Sequence, residues 1–426
     1  MRLKSVGKCV RRMGFCVLGA VVGLLPGFSA AAAPAEETVR FIGRFFKQAD
    51  GVYRFNWSAS TILAGFEGTG IAVTLRLISG TVDYFNLRID GGEAQELKIT
   101  ADTERYVLAE GLEDGMHSVS LEKRSEGSET TVEFAGFDYG SGRPAAAPPA
   151  KKLRFEFVGD SITAGFGNLG TEPGYRIEEQ DAGLTYGAMT AQAFDAEYTI
   201  IAASGTGLYQ NLGGNTYPNM PANYYDRTLL GLSIDAQDAA NAWDFSRAVP
   251  DVMVINLGTN DGASNVKTEN YSSAYHAFLD EVRTRYPDTF LVCALGPMVL
   301  KLQPAVEQVV QQRQQDGDER IVSCIFRFDE QDGMWGAGGH PTVKGHRQMA
   351  DELIALLKET VFAASSPGQP EEESSSEPAA APTGSADADA DGKTGWIAAL
   401  AAAGAAVLGA AGWLIGRQIC RRRRST

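Results

Sequence analysis

The sequence predicts an all-β sandwich or jelly-roll domain followed by an α/β domain with a parallel sheet, then a single hydrophobic span. Three observations carry this. Short apolar-alternating runs separated by Gly, Asp and Glu-Gly turns fill residues 39–138, the pattern of half-buried strands. Beyond residue 150 strand-like runs alternate with helical ones, which argues for a parallel sheet covered on both faces. Residues 396–415 carry no charge and are long enough to cross a bilayer. A chain of 426 residues is also too long for one ordinary core.

The elements follow in order. Arg2, Lys4, Lys8, Arg11 and Arg12 precede an apolar run over 13–25 and an Ala-rich stretch. Residues 1–35 therefore read as a signal peptide, cleaved near Ala33 or after Ala35, with an N-terminal membrane anchor as the alternative. The β domain is expected over 36–140. Its strands include 70–77, 84–89 before Asp90-Gly91-Gly92, 117–121 and 130–134. Residues 141–150, rich in Gly, Pro and Ala, read as a linker.

The α/β domain is expected over 151–362. Strands are predicted at 153–158, 198–203, 252–257, 290–295 and 321–326, and helices at 184–194, 271–286 and 342–361. Residues 363–394 hold mainly Pro, Ser, Glu, Ala and Asp; they cannot bury a core and read as a disordered spacer. Residues 395–416 are the expected transmembrane helix, with a buried Ala-rich helix as the alternative. The basic tail, 417–426, holds Arg417 and Arg421 to Arg424. The positive-inside rule puts it in the cytoplasm and the body outside, a single-pass protein anchored by its C-terminal helix. Lys393-Thr394-Gly395 faintly resembles a cell-wall sorting signal, without the usual Leu-Pro.

Charge narrows the partners. The net charge is −15, and removing the ten basic residues of the two terminal segments takes it to about −25. Such a surface repels nucleic acid phosphates, so neutral or cationic partners fit better, and sugars qualify. Cys293 and Cys324 lie in the exported part, each in an apolar strand-like run. They either pair, which secretion permits, or stay as two buried thiols. Neither has metal-ligand spacing, so no metal site is implied; no cofactor is expected.

Chemistry gathers at the predicted strand ends. The first strand ends in Gly159-Asp160-Ser161, a turn that presents a hydroxyl where α/β sheets bind ligands. The second ends in Ser204-Gly205-Thr206-Gly207, where glycine lets a backbone N–H approach a ligand. The third ends in Gly258-Thr259-Asn260-Asp261, where an amide can be aimed at a developing oxyanion. After the fifth comes Gly339-His340-Pro341-Thr342, where a His can act as base toward Ser161. Each has a bland reading as a turn or helix start; together they supply a nucleophile, a base and donors on one edge.

At these residues the chain resembles the SGNH, or GDSL, hydrolase superfamily, over about 153–360. It is more closely similar to carbohydrate esterase family 2, which joins an N-terminal jelly roll to an SGNH domain. The residues carrying that likeness include Gly43-Arg44-Phe45, Phe66-x-Gly68-Thr69-Gly70 and His117-x-Val119-x-Leu121-x-Lys123-Arg124 in the first domain. In the second they include Ile201-x-x-Ser204-Gly205-x-Gly207, Asn219-Met220-Pro221, Tyr225-x-Arg227-Thr228-Leu229 and Asp332-Gly333 ahead of His340-Pro341. The resemblance implies a flavodoxin-like catalytic domain and metal-independent deacetylation of polysaccharides such as xylan or glucomannan. It implies Ser161 as nucleophile, His340 as base, and an oxyanion hole from the N–H groups of Ser161 and Gly205 and the amide of Asn260.

One departure stands out. Many SGNH enzymes carry an Asp three residues before the His, and here that position is Ala337. The resemblance implies a Ser-His dyad whose imidazole is oriented by a backbone carbonyl; Asp332 or Asp329 are the rival orienters. Gly165-Phe166-Gly167-Asn168-Leu169-Gly170 satisfies GxGxxG but starts past the strand's own turn, so a dinucleotide site is not expected. His346 and His276 read as packing or surface residues. Trp335, beside His340, suits stacking on a sugar ring or packing, as do Trp243, Tyr224 and Tyr225. The alternatives to a polysaccharide O-acetylesterase are a sugar-binding protein with a decayed site, or an esterase for bacterial wall or capsule sugars.

Overall fold

The computed structural model describes residues 37–363, apart from 172, 232–238 and 329–332. The expected signal, spacer, span and tail lie outside the described residues. Within the described residues no helix is long and apolar enough to cross a membrane.

The first domain contains strands β1 (Val39–Ile42), β2 (Phe46–Lys47), β3 (Tyr53–Phe55), β4 (Thr61–Gly68), β5 (Ile71–Ser79), β6 (Val82–Ile89), β7 (Gln95–Thr100), β8 (Arg105–Ala109), β9 (Gly115–Lys123), β10 (Thr131–Asp138) and β11 (Arg143–Ala145). They form two antiparallel sheets, β1-β4-β9-β6-β7 with β11 on β4, and β2-β3-β10-β5-β8. Alternate residues of both sheets, such as Ile62, Val73, Leu75, Phe85, Leu121 and Val132, form one apolar core. The stretch read as a linker thus contains an edge strand: Arg143 to Ala145 pairs with Glu67 to Gly65. Pro144 is tolerated there because an edge position needs no donor on its free side.

The second domain contains β12 (Leu153–Gly159), α1 (Ser161–Ala164), α2 (Tyr186–Ala193), β13 (Ala196–Ala202), β14 (Val252–Asn256), α3 (Thr259–Ala263), α4 (Thr268–Arg285), β15 (Phe290–Leu295), α5 (Gln303–Gln315), β16 (Ile321–Ile325) and α6 (Val343–Thr360). Its five strands are all parallel in the order β13-β12-β14-β15-β16. Strand residues alternate between two cores. Phe155, Phe157, Val252 and Val254 face the side of Met189, Met349 and Leu353. Val158, Met253 and Ile255 face the side of Tyr275, Phe278, Val306 and Val309. Strand order reverses at β12, so the ligand crevice is expected at its carboxyl end. Helix α5 was not singled out in the sequence; its Gln-rich segment offers only Ala305, Val306, Val309 and Val310 as an apolar stripe.

The two cysteines resolve as buried free thiols. Cys324 pairs in register with Ala294, not Cys293, so the two side chains point to opposite sheet faces. Burial pushes both thiols up to about 12.

The domains are clamped by directed polar contacts. Trp57 Nε1 donates to Thr228 O at 3.0 Å. Asn56 exchanges two bonds with the Leu230 backbone, at 2.9 and 3.0 Å. Arg44 Nη1 donates to Arg227 O at 2.9 Å, and Tyr198 Oη donates to Glu122 at 2.6 Å. These bonds satisfy groups that burial would otherwise leave unpaired, and they tie the sandwich to the segments leading into the site.

Candidate active site

Ser161 opens α1 directly after β12. Asp160 is the N-cap, with φ −110° and ψ −152°, and its carboxylate accepts from Ile162 N–H at 3.0 Å. Gly159 must lack a side chain, because a Cβ there would lie 2.0 Å from Thr163 Oγ1. That close approach makes the turn sharp enough to lift the Ser161 hydroxyl to the sheet's carboxyl edge.

His340 meets it from the loop before α6. Its Nε2 lies 2.7 Å from Ser161 Oγ, and its Nδ1 lies 3.3 Å from Gly338 O. With Ser161 donating to Nε2, the neutral imidazole carries its proton on Nδ1 and donates it to that carbonyl. Gly338 and Gly339 take φ +59° and +71°, a left-handed pair that folds the Gly338 carbonyl back toward the imidazole. The loop is closed by Gly336 N–H to His340 O at 2.8 Å and Thr342 N–H to Met334 O at 3.0 Å. Burial holds the His340 imidazole below its ordinary value, opposed by the bonds at Gly338 and Ala337. The ring is therefore poised as a neutral proton acceptor.

The structure also explains Ala337. Its side chain is fully buried and its Cβ faces two glycines. A Cβ on Gly167 would lie 2.6 Å from it, and one on Gly170 2.9 Å. The loop thus has room for a methyl group and not for a carboxylate. Asp329 and Asp332, the rival orienters, lie outside the described residues.

The segment matching GxGxxG has a different role here. Gly165, at φ +83°, ends α1, and the following Phe166 packs on the His340 ring with centroids 4.4 Å apart. Phe166 stacks in turn on Tyr175 at 4.2 Å, whose hydroxyl donates to Gln180 at 2.7 Å. Sequence reasoning missed this backing for the imidazole; its only signal was an aromatic inside a glycine-rich loop.

Gly205 sits in the turn after β13 at φ +76°, and Leu212 N–H donates to its carbonyl at 2.9 Å. Neither its own N–H nor that of Ser161 donates to a described residue. Asn260, in the first turn of α3, donates from Nδ2 to Thr206 O at 2.8 Å and to Asp160 Oδ2 at 3.3 Å. Its amide therefore ties the Gly205 turn to the Ser161 turn, and the longer bond to Asp160 is the weaker of the two. Its neighbour Asp261 is fully buried and accepts from Leu208, Tyr209 and Gln210 N–H at 2.7–2.9 Å, fixing the strand-end loop. Ser204 is held by Glu126 of the sandwich, a contact no local pattern announces.

The aromatic candidates divide. Trp335 is 46% exposed, packs in a tilted pair with Phe328 at 4.7 Å and bridges Pro341, so it stands beside His340. Trp243 and Tyr225 are packing residues: Trp243 lies against Arg44, and Tyr225 Oη donates to Glu156 at 2.8 Å. Tyr224 is half-buried. His346 is buried, its Nδ1 accepting from Tyr186 N–H at 3.2 Å, which is possible only for the neutral ring. His276 is half-exposed on α4. Among the described residues no cluster of three or more His, Cys, Asp or Glu is placed to hold a metal.

Both domains match known protein families. Residues 41–149 match the family described as Carbohydrate esterase 2 N-terminal, and residues 155–353 match GDSL-like Lipase/Acylhydrolase. The chain is similar to the structure of a family two carbohydrate esterase from Clostridium thermocellum in complex with cellohexaose. That match has a TM-score of 0.70 and 33% identity, and covers 76% of this chain and 99% of that one. It is 36% identical over 332 residues to Cellulase/esterase CelE of Acetivibrio thermocellus, which covers 75% of this chain and 39% of that protein. The chain thus spans well under half of that relative's length. An Acetylxylan esterase / glucomannan deacetylase of Cellvibrio japonicus is 26% identical over 326 residues, covering 72% of this chain and 86% of that protein. With both domains matched in order, and nearly all of a solved member covered at a third identity, the chain belongs to the family two carbohydrate esterases.

Proposed function

We propose that this protein is a serine O-acetylesterase that removes acetyl groups from polysaccharides or oligosaccharides of the xylan and glucomannan type. The observation that carries the reading is the 2.7 Å contact between Ser161 Oγ and His340 Nε2 at the sheet's switch point. Ser161 Oγ attacks the acetyl carbonyl carbon as His340 Nε2 takes the hydroxyl proton. The carbonyl oxygen becomes an oxyanion, bound by the N–H groups of Ser161 and Gly205, with the Asn260 amide exchanging its long bond to Asp160 for a bond to it. Collapse breaks the bond from the acetyl carbon to the sugar oxygen, which takes the proton from His340 and leaves as the sugar hydroxyl. Water, deprotonated by His340, then attacks the acetyl-enzyme; the bond from the acetyl carbon to Ser161 Oγ breaks, acetate leaves, and His340 returns the proton to Ser161. The relatives' names, cellulase/esterase and acetylxylan esterase / glucomannan deacetylase, support the substrate class. Trp335, exposed beside His340, is the proposed contact for a sugar ring.

The proposed setting is the outer face of the membrane, supported by the basic and apolar N-terminal residues and by residues 396–415 with Arg417 and Arg421 to Arg424 behind them. Acetate release from acetylated xylan and glucomannan, beside acetylated peptidoglycan, tests the function. The reading expects release from the plant polysaccharides, abolished by Ser161→Ala. No release from any of them would overturn it, and release from peptidoglycan alone would move the substrate to the wall sugars.

A further inference from the structure

Gly205 is a poor choice for holding an N–H in one direction by itself. Glycine is free on both sides of φ, and a Cβ on Gly205 would meet nothing within 4 Å. Its direction must come from its flanks. On one side Thr206 is pinned, its N–H donating to Ala203 O at 3.3 Å and its carbonyl accepting from Asn260 at 2.8 Å. On the other side stands Ser204, whose partner comes from the other domain.

Glu126 lies in the sandwich loop between β9 and β10 and is 1% exposed. Its Oε2 accepts from Ser204 N–H at 2.7 Å, and its Oε1 from Ser204 Oγ–H at 2.5 Å. Two bonds from one carboxylate to the backbone and side chain of one residue fix that residue as a rigid frame. The Glu126 loop is itself anchored. Lys123 Nζ pairs with Asp83 at 3.2 Å and donates to Ser125 O and Oγ at 2.9 and 2.7 Å. Ser125 Oγ donates to Asp83 at 2.6 Å, and Thr130 Oγ1 also donates to Asp83. Gly127 presses against the clamped segment: a Cβ there would lie 3.0 Å from Leu230 Cβ.

We propose that Glu126 is a positioning residue for the oxyanion site, its paired bonds to Ser204 aiming the Gly205 N–H. The sandwich then contributes to transition-state stabilisation as well as to the shape of the cleft. This inference rests on the esterase reading of the same site. A buried carboxylate is a costly way to cap a turn, and here both its oxygens are used on the residue that precedes the donor.

The test is steady-state hydrolysis of 4-nitrophenyl acetate by the full chain as wild type, Glu126→Gln, Ser204→Ala and the double variant. Urea unfolding and binding of methylboronic acid accompany it; the tetrahedral boronate formed on Ser161 puts a charged oxygen in the oxyanion position. Removing an oxyanion donor outright costs about 10²–10³ in kcat, so a misaimed donor in Glu126→Gln is expected to cost roughly tenfold. KM stays within about twofold, and boronate affinity falls by the same factor as kcat. Ser204→Ala keeps the N–H bond and loses less, and the double variant matches Glu126→Gln because both cuts remove one interaction. A Glu126→Gln enzyme with kcat within twofold of wild type overturns the inference, as does a kcat loss without loss of boronate affinity. If Glu126→Gln does not fold, Ser204→Ala decides the matter from the other side: unchanged kcat and boronate affinity there overturn it. An inactive wild type would instead overturn the esterase reading, a result distinct from an active wild type indifferent to Glu126.

Discussion

Restoring the carboxylate that many SGNH enzymes carry three residues before the His is the perturbation that probes this loop best. Ala337→Asp adds three heavy atoms at a fully buried position, where Gly167 and Gly170 already approach the existing methyl group. Overpacking of that kind costs roughly 1–3 kcal/mol. The new carboxyl also enters a region where Glu179 Oε2 is buried without a hydrogen-bond partner among the described residues. Burial disfavours ionisation of the new carboxyl, and an unpaired polar group costs about 1–3 kcal/mol even when neutral. The sum, about 2–6 kcal/mol, is a large share of the ~5–15 kcal/mol typical of a folded protein. Urea unfolding followed by tryptophan fluorescence reads the stability, and aryl acetate hydrolysis reads kcat. The expected result is a destabilised enzyme with no gain in kcat. An Ala337→Asp protein as stable as wild type with a severalfold higher kcat would refute the reasoning. It would mean that the loop accommodates a carboxylate orienter and merely lacks one.

Three further outcomes follow from the same geometry. Gly338→Ala forces a side chain into a left-handed position, 3.3 Å from Phe166 and 3.5 Å from His340 Nδ1; the strain is about 1–2 kcal/mol, and kcat should fall with KM little changed, whereas an unchanged kcat would show that the carbonyl does not orient the ring. Because burial holds His340 below its ordinary value, and the base must be neutral, kcat/KM should fall on acidification with a midpoint below about 6.5, the unperturbed His value; a midpoint at or above that contradicts the site's desolvation. Burial pushes His346 down to about 3, so the unfolded chain takes up a proton below about pH 6.5 that the folded protein refuses. Stability is then lost as pH falls through that window, by about 1.4 kcal/mol per pH unit. Subtracting the urea stability of His346→Gln isolates that slope, and a flat difference between pH 6.5 and 4 would rule it out.

Much of the fold was readable because its signals are local. The five parallel strands centre on short apolar runs whose residues feed the cores on both faces, and the expected bounds lie within two residues of each end. Helices α4 and α6 carry periodic stripes, α2 is a short helix buried nearly all round, and α6 shows Thr342 capping Gly345 N–H at 3.3 Å. Helix α5 escaped because a Gln-rich surface dilutes its stripe, and β11 because Pro, Gly and Ala read as a linker until β4 is present to pair with it. Ser161, Gly205 and Asn260 were legible for the same local reason, each lying within a few residues of an apolar run, and His340 because it opens the last helix. What orients them was not. The Gly338 carbonyl, the Phe166 ring and the Glu126 carboxylate act across a loop reversal or a domain boundary, and Glu126 reaches Ser204 over 78 residues of sequence. The Asn260 amide was expected to face an oxyanion; in the structure it bridges Thr206 and Asp160, a tie that needs two turns in place at once.

The central claim is that Ser161 and His340 work as a dyad, with the Gly338 carbonyl as orienter and no carboxylate required. Its most direct measurement is kcat on an aryl acetate for Asp332→Ala and Asp329→Ala beside Ser161→Ala. Loss of an essential orienting carboxylate in a serine triad costs about 10⁴-fold. The account predicts less than about tenfold for each aspartate variant, against a loss of at least about 10³-fold for Ser161→Ala. A loss in either aspartate variant that approaches that of Ser161→Ala would contradict it.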